Sequence, residues 1–142
     1  MPFLQVVLPK FSLVPVIIGT TDLDLCAAIA GEIYEALISE QRKIAVIIST
    51  DLSHYHSYEE ARSLDGVFIK LLESYDAVKL QSALAGDETQ ACGEGPVLCG
   101  MILSKSLGAD RVEILKYANS GDTAGGRDQV VGYLSAAMTA RE

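Results

Sequence analysis

The sequence predicts an α/β fold, a mixed sheet with flanking helices, and three features carry that expectation. Two β-branched, apolar runs at residues 13–18 and 43–50 are separated by a stretch of helical periodicity long enough to serve as a crossover connection. Two further runs, residues 111–118 and 129–138, flank a loop rich in Gly, Asp and Ser. Between these pairs lie segments with helical spacing and recognisable start and stop signals. The resulting order is strand, helix, strand, helices, strand, strand, with parallel crossovers first and an antiparallel pair last.

Each element has a local cause. Residues 13–18 end at Gly19 and carry Pro15, which places this strand at an edge or a bulge. Over residues 22–40 the apolar side chains Leu23, Cys26, Ile29, Ile33 and Leu37 fall on one helical face, and Thr21 is placed to cap the first turn. Residues 43–50 form a buried strand, favoured by the run Ile44-Ala45-Val46-Ile47-Ile48. Ser57-Tyr58-Glu59-Glu60 has the form of a capping box. It opens a helix whose Ala61, Leu64, Phe68, Leu71 and Leu72 share a face to about Ser74. A shorter helix covers residues 77–84 and stops at Gly86. Pro96 suits the first turn of the next, which closes at Leu107-Gly108. The last two strands enclose residues 119–128, and a hairpin is one way to join them.

Composition narrows the function classes. The chain has 142 residues of which 49% are apolar, enough for the core of one domain. A formal net charge of -8 argues against nucleic acid, whose phosphates call for clustered Lys and Arg. No run approaches the roughly 20 apolar residues of a membrane span, and the start lacks the basic and apolar regions of a signal peptide, so the expectation is a cytoplasmic protein with no membrane partner. Cys26, Cys92 and Cys99 contain no Cys-x-x-Cys spacing and are odd in number, which fits a reducing compartment.

Chemistry concentrates after the second strand, where Ser49-Thr50-Asp51-Leu52-Ser53-His54-Tyr55 brings an acid, a hydroxyl and a base together. In open α/β sheets the ligand crevice lies beyond the carboxyl ends of the strands. Short polar residues are also what a strand-to-helix loop uses for turns and caps, so both readings stand on the spacing alone. Asp51 and His54 are too few for a catalytic metal, which takes three protein ligands and an open position. Cys92, in Ala91-Cys92-Gly93-Glu94-Gly95-Pro96, is the best soft ligand or nucleophile: glycines permit close backbone approach and a helix start favours the thiolate. A small buried hydrophobe in a turn is the competing reading of Cys92. Cys26 and Cys99 fall on helical faces and read as core. His56 reads as a solvated loop residue, and Glu59 and Glu60 as ordinary first-turn acids. Tyr117, Asn119 and Ser120 end a strand and face the crevice if their direction allows. The stretch Ser120-Gly121-Asp122-Thr123-Ala124-Gly125-Gly126-Arg127 matches neither the P-loop nor the dinucleotide fingerprint and reads as a tight loop.

Taken in order, Ser49-Thr50-Asp51-Leu52-Ser53-His54-Tyr55, Ala61 with Leu64-Asp65, Ala91-Cys92-Gly93-x-Gly95-Pro96, Tyr117-x-Asn119-Ser120-Gly121-Asp122 and Val130-Val131-Gly132-Tyr133 resemble the Memo-like family, whose prokaryotic members are called AmmeMemoRadiSam system protein B. The resemblance spans essentially the whole chain. It implies a fold similar to class III extradiol dioxygenases, which hold nonhaem iron at the carboxyl ends of sheet strands. It also implies a metal pocket to which Asp51, His54 and Cys92 belong, with His54 as the catalytic group and Ser53, Tyr117 and Asn119 toward substrate.

Pro2-Phe3-Leu4-Gln5 is similar to a family segment near the middle of the usual domain, so residues 1–142 are expected to be the C-terminal part of a single Memo-like domain. The N-terminal half would carry the family's histidine motifs, and iron or copper would bind only if that half is supplied. Expected partners are therefore the missing half or a second copy, which would cover an otherwise unpaired sheet edge, and a radical SAM protein of the same system. Competing readings are a non-catalytic peptide- or protein-binding module of the AmmeMemoRadiSam system and an inactive truncated product; a shared fold does not decide among them.

Overall fold

The computed structural model describes residues 2–123 and 125–141. Among the described residues five α-helices, α1 (Pro2–Val7), α2 (Leu23–Ile38), α3 (Tyr58–Glu73), α4 (Ala77–Ala85) and α5 (Glu94–Ser106), and a single 3-10 turn at Ser120–Asp122 accompany three strands, β1 (His54–His56), β2 (Arg111–Asn119) and β3 (Val130–Thr139). The strands form one antiparallel sheet in the order β1-β3-β2. An α/β fold with flanking helices is thus what the sequence folds into.

Helix boundaries follow the predicted signals closely. The Ser57 amide and hydroxyl both donate to Glu60 Oε2, at 3.2 and 2.6 Å, completing the capping box of α3. Asp76 Oδ1 accepts from the amides of Val78 and Lys79 at 3.1 Å and starts α4. Gly108, at φ 93°, ends α5: its amide donates to Lys105 O and that of Ala109 donates to Ser104 O, the paired bonds of a Schellman motif. The cap of α2 differs from expectation. Asp22, not Thr21, takes that place, because its carboxylate reaches the Leu25 amide at 2.9 Å while Thr20 Oγ1 accepts from the Asp22 amide.

The hairpin is formed. β2 and β3 pair from Arg111↔Thr139 to Asn119↔Gly132, with an irregularity between Ile114 and Lys116. Helix α3 packs on both strands, α5 packs against α2 and α4, and the core gathers Cys26 and Ala30 of α2, Phe68 and Leu72 of α3, Leu80 and Leu84 of α4, and Val97, Leu98 and Met101 of α5. Leu52, fully buried, joins this core and anchors the loop that precedes β1.

Residues 13–18 and 43–50 depart from expectation: neither is a strand, and the parallel crossovers they were to make are not formed among the described residues. A strand is defined by a partner, and these runs have the side chains of strands without one. Ile18 and Ile48 point onto the core, whereas Val14 and Ile17 are 84% and 97% exposed and Val46 and Ile47 are also exposed. Among the described residues no helix is long and apolar enough to cross a membrane.

Two outcomes are expected in solution. Leu98→Ala, at a fully buried site in α5, should cost about 3 kcal/mol in urea unfolding, while Val78→Ala, at an exposed site in α4, should stay within about 0.5 kcal/mol. The hydrogen bonds of Lys79 and Val78 hold the Asp76 carboxyl below its ordinary 3.8, and those of Ser57 hold Glu60 below 4.5. A lowered folded pKa gives stability that is complete above the unfolded value and disappears as pH falls through the folded one. The urea midpoint should therefore drop below about pH 4, and Asp76→Asn should flatten that drop.

Candidate functional site

The segment between the second apolar run and α3 is fixed by the sheet. The Leu52 amide donates to Gly132 O at 2.9 Å, and the Gly132 amide donates to Ser53 O at 2.9 Å, so the β1–β3 ladder begins before β1 itself. At Tyr55 the chain takes φ 61°, and His54 and His56 oppose the consecutive residues Val131 and Val130. A non-glycine residue in the left-handed region, here a tyrosine at a bulge, is strain that surrounding contacts must hold in place.

The three predicted donors neighbour one another at this loop, linked by backbone bonds and one long side-chain approach. The Asp51 amide donates to Cys92 Sγ at 3.2 Å, and the Cys92 amide donates to Asp51 O at 3.1 Å. His54 Nε2 lies 3.9 Å from Asp51 Oδ2, both side chains being partly exposed. Thr50 fastens the two segments of this junction: its hydroxyl donates to Asp51 O at 2.8 Å and accepts from the Gly93 amide at 2.8 Å. Glycine is required at 93, since a Cβ there would sit 2.7 Å from Thr50 Cβ. Cys92 is exposed, so the reading of it as a buried hydrophobe fails, and it opens onto a cleft of about 270 Å³ shared with Ile18, Thr20, Thr21 and Pro96.

The other three predicted residues, Ser53, Tyr117 and Asn119, lie in a buried cluster behind the loop. Its centre is Asp65 of α3, with no exposed surface. Asp65 Oδ1 accepts from the Ser53 amide at 3.0 Å and Oδ2 from the Tyr117 hydroxyl at 2.7 Å. Burial first, and then the Asp65 carboxylate, push the Tyr117 hydroxyl above its ordinary 10.0, so it remains a donor. Among the described residues Ser53 Oγ is buried without a hydrogen-bond partner, and Asn119 Nδ2 is buried with the Tyr117 hydroxyl as its neighbouring polar group. Asn119 Oδ1 accepts from the Gly121 amide and turns the chain out of β2.

Elsewhere the residues take quieter places. Cys26 and Cys99 are buried, and desolvation raises both thiols, as core cysteines. His56 is no solvated loop residue: it lies half-buried in β1, with Nε2 2.9 Å from Gln90 Oε1. Tyr58 donates to Asp122 Oδ1 at 2.6 Å with the Arg127 guanidinium over its ring, which ties the Gly-rich loop to α3. That hydrogen bond, followed by one from the Asn119 amide, lowers the Asp122 carboxyl. Asp65 is the residue that reasoning from periodicity missed, although the signal was present: an acid at the fourth position after Ala61 and three before Phe68 sits on the apolar face of α3.

A family model described as "Memo-like protein" matches residues 1–137. Relatives named "MEMO1 family protein" include one from Methanobrevibacter smithii, 38% identical over 135 residues, covering 95% of this chain and 48% of that protein. One from Methanosarcina mazei is 38% identical over 137 residues, covering 95% of this chain and 51% of the relative. One from Archaeoglobus fulgidus is 39% identical over 132 residues, covering 93% and 50%. The chain thus spans about half the length of these curated relatives. With a family match over nearly all of its residues, the chain belongs to the Memo-like family.

Proposed function

We propose that this chain supplies Asp51, His54 and Cys92 to a metal pocket, for iron or copper, that is completed by residues from the part of the family's length it does not span. The supporting observation is the junction itself: Cys92 is 41 positions beyond Asp51, yet its sulfur receives the Asp51 amide at 3.2 Å while Asp51 faces His54. A carboxylate, an imidazole and a soft sulfur are donor types that suit iron or copper. Among the described residues no group of three or more such side chains converges on one point, so the set in this chain is open. A bound metal would supply redox and Lewis-acid chemistry, in the manner of the nonhaem iron dioxygenases the family resembles. His54 is the group suited to move a proton, its Nε2 standing 3.9 Å from Asp51 Oδ2. Ser53, Tyr117 and Asn119 are proposed as the substrate side of the completed pocket, although in this chain they stand buried or half-buried behind the donors. In this reading residues 1–142 are the C-terminal part of one Memo-like domain, an AmmeMemoRadiSam system protein B of a reducing cytoplasm, with a radical SAM protein as system partner.

A specific feature favours a second role, protein binding without turnover. The extended runs at 13–18 and 43–50 present Val14, Ile17, Val46 and Ile47 to solvent and carry unpaired backbone, which is the form of a β-edge that accepts another strand. The occupant that fits is the remaining half of the family's length, or a second copy of this chain.

Two measurements separate these readings. In protein isolated in its native form, replacing Asp51 and His54 by Ala and Cys92 by Ser together should weaken Fe(II) or Cu(I) binding by more than about 100-fold, beyond the 10–100-fold typical of losing an outer hydrogen-bond partner. Unchanged affinity would sink the metal reading. Sedimentation of the 142-residue chain should give a species heavier than 15.2 kDa, and Ile17→Lys should reduce it toward the monomer. A stable monomer at micromolar concentration would remove a second copy as the occupant of this edge.

A further inference from the structure

The backbone between Asp51 and His54 is held from three directions. Gly132 of β3 takes the Leu52 amide and gives its own to Ser53 O, each at 2.9 Å. The Ser53 amide, the remaining backbone donor of that dipeptide, goes to a side chain, Asp65 Oδ1, at 3.0 Å. The other oxygen of Asp65 receives the Tyr117 hydroxyl at 2.7 Å. Gly132 passes so close to this carboxylate that any Cβ would collide with Oδ2. Helix, loop and both long strands therefore converge on one buried acid.

A buried carboxylate with two donors is an expensive way to fill a core. Removing a carboxylate from water costs several kcal/mol after relaxation, by order of magnitude, and two hydrogen bonds offset it only in part. An apolar residue at 65 would pack against Ala61 and Phe68 at lower cost but would leave the Ser53 amide unpaired and the loop free to shift. What the acid provides is position.

We propose that Asp65, oriented by Tyr117, is the positioning residue that fixes the Asp51–His54 loop against Cys92. The inference deepens the metal reading above and rests on it for its functional consequence, though the clamp is observable without metal. Asp65 touches none of the three donors directly. It acts through the amide of Ser53, the residue that directly precedes His54 and that only Leu52 separates from Asp51.

The test uses the native form and the variants Asp65→Ala, Asp65→Asn and Tyr117→Phe, read by amide and imidazole NMR without metal and by Fe(II) and Cu(I) titration. In Asp65→Ala the Ser53 amide should lose its exchange protection, the His54 imidazole resonances should move, and metal affinity should fall 10–100-fold, on the order seen when an outer hydrogen-bond partner is removed. Asp65→Asn, which keeps an acceptor for Ser53, should rescue the Ser53 amide in part. If Asp65→Ala does not fold, Tyr117→Phe decides: it frees Asp65 Oδ2 and should move the Ser53 and His54 resonances in the same direction with a smaller loss of affinity. Folded variants whose Ser53 and His54 resonances stay at their wild-type positions would overturn the proposal. Moved resonances in a protein that binds neither metal would sustain the clamp and overturn the metal reading instead.

Discussion

The close approach of Gly132 to Asp65 is the constraint on which the candidate site depends. It lets β3 lie against α3 with a carboxylate between them. The same glycine exchanges hydrogen bonds with Leu52 and Ser53. One small residue in the middle of the sheet thus sets where helix α3, strand β2 and the donor-bearing loop stand relative to one another. The strained Tyr55, at φ 61°, follows from that arrangement: with residues 52 and 53 fixed on β3 and α3 about to begin at Tyr58, the chain takes its bulge at the position left over.

A second set of close approaches joins α5 to the two extended runs. Gly93 meets Thr50, Gly95 meets Thr20, and Gly100 meets Ile48, at separations that leave no room for a Cβ. Helix α5 is therefore not a cover placed at a distance but a support pressed onto the ends of both runs, and it brings Cys92 with it. This explains how runs with no strand partner keep a definite place: one side is packed on α2 and α5 through Ile18 and Ile48, and the other side is left apolar and open.

Local chemistry was the legible part of the fold. The capping box at Ser57 and Glu60, the stop at Gly108 and the turn residues between β2 and β3 each act within a few positions, so their sequence signals carry over into structure unchanged. Residues 13–18 and 43–50 have the composition of strands, but a strand also needs a neighbour to pair with, and composition carries no information about the neighbour. β1 escaped notice because three residues are too few for a periodic pattern. In the site, Asp51, His54 and Cys92 were legible as polar residues at the ends of runs. Their meeting was not, because it depends on an amide-to-sulfur contact across 41 positions. Asp65 was visible as an acid on an apolar face but had no meaning until Ser53 and Tyr117 were found on its two oxygens.

The two clusters differ in a physically sensible way. Asp51, His54 and Cys92 are partly or fully exposed, where a ligand can reach them, and their side chains make few bonds to one another. Behind them Asp65 is buried and bonded on both oxygens. Donor groups that must bind something else need free lone pairs, whereas the groups that aim them need theirs occupied. A loop that only capped a helix would need neither an acid inside the core nor a cysteine held by an amide at its rim. The cost of burying Asp65 is set against a loop whose backbone is pinned at Ser53, between Asp51 and His54, and less freedom in that backbone means less ordering left to pay for in any contact those side chains make.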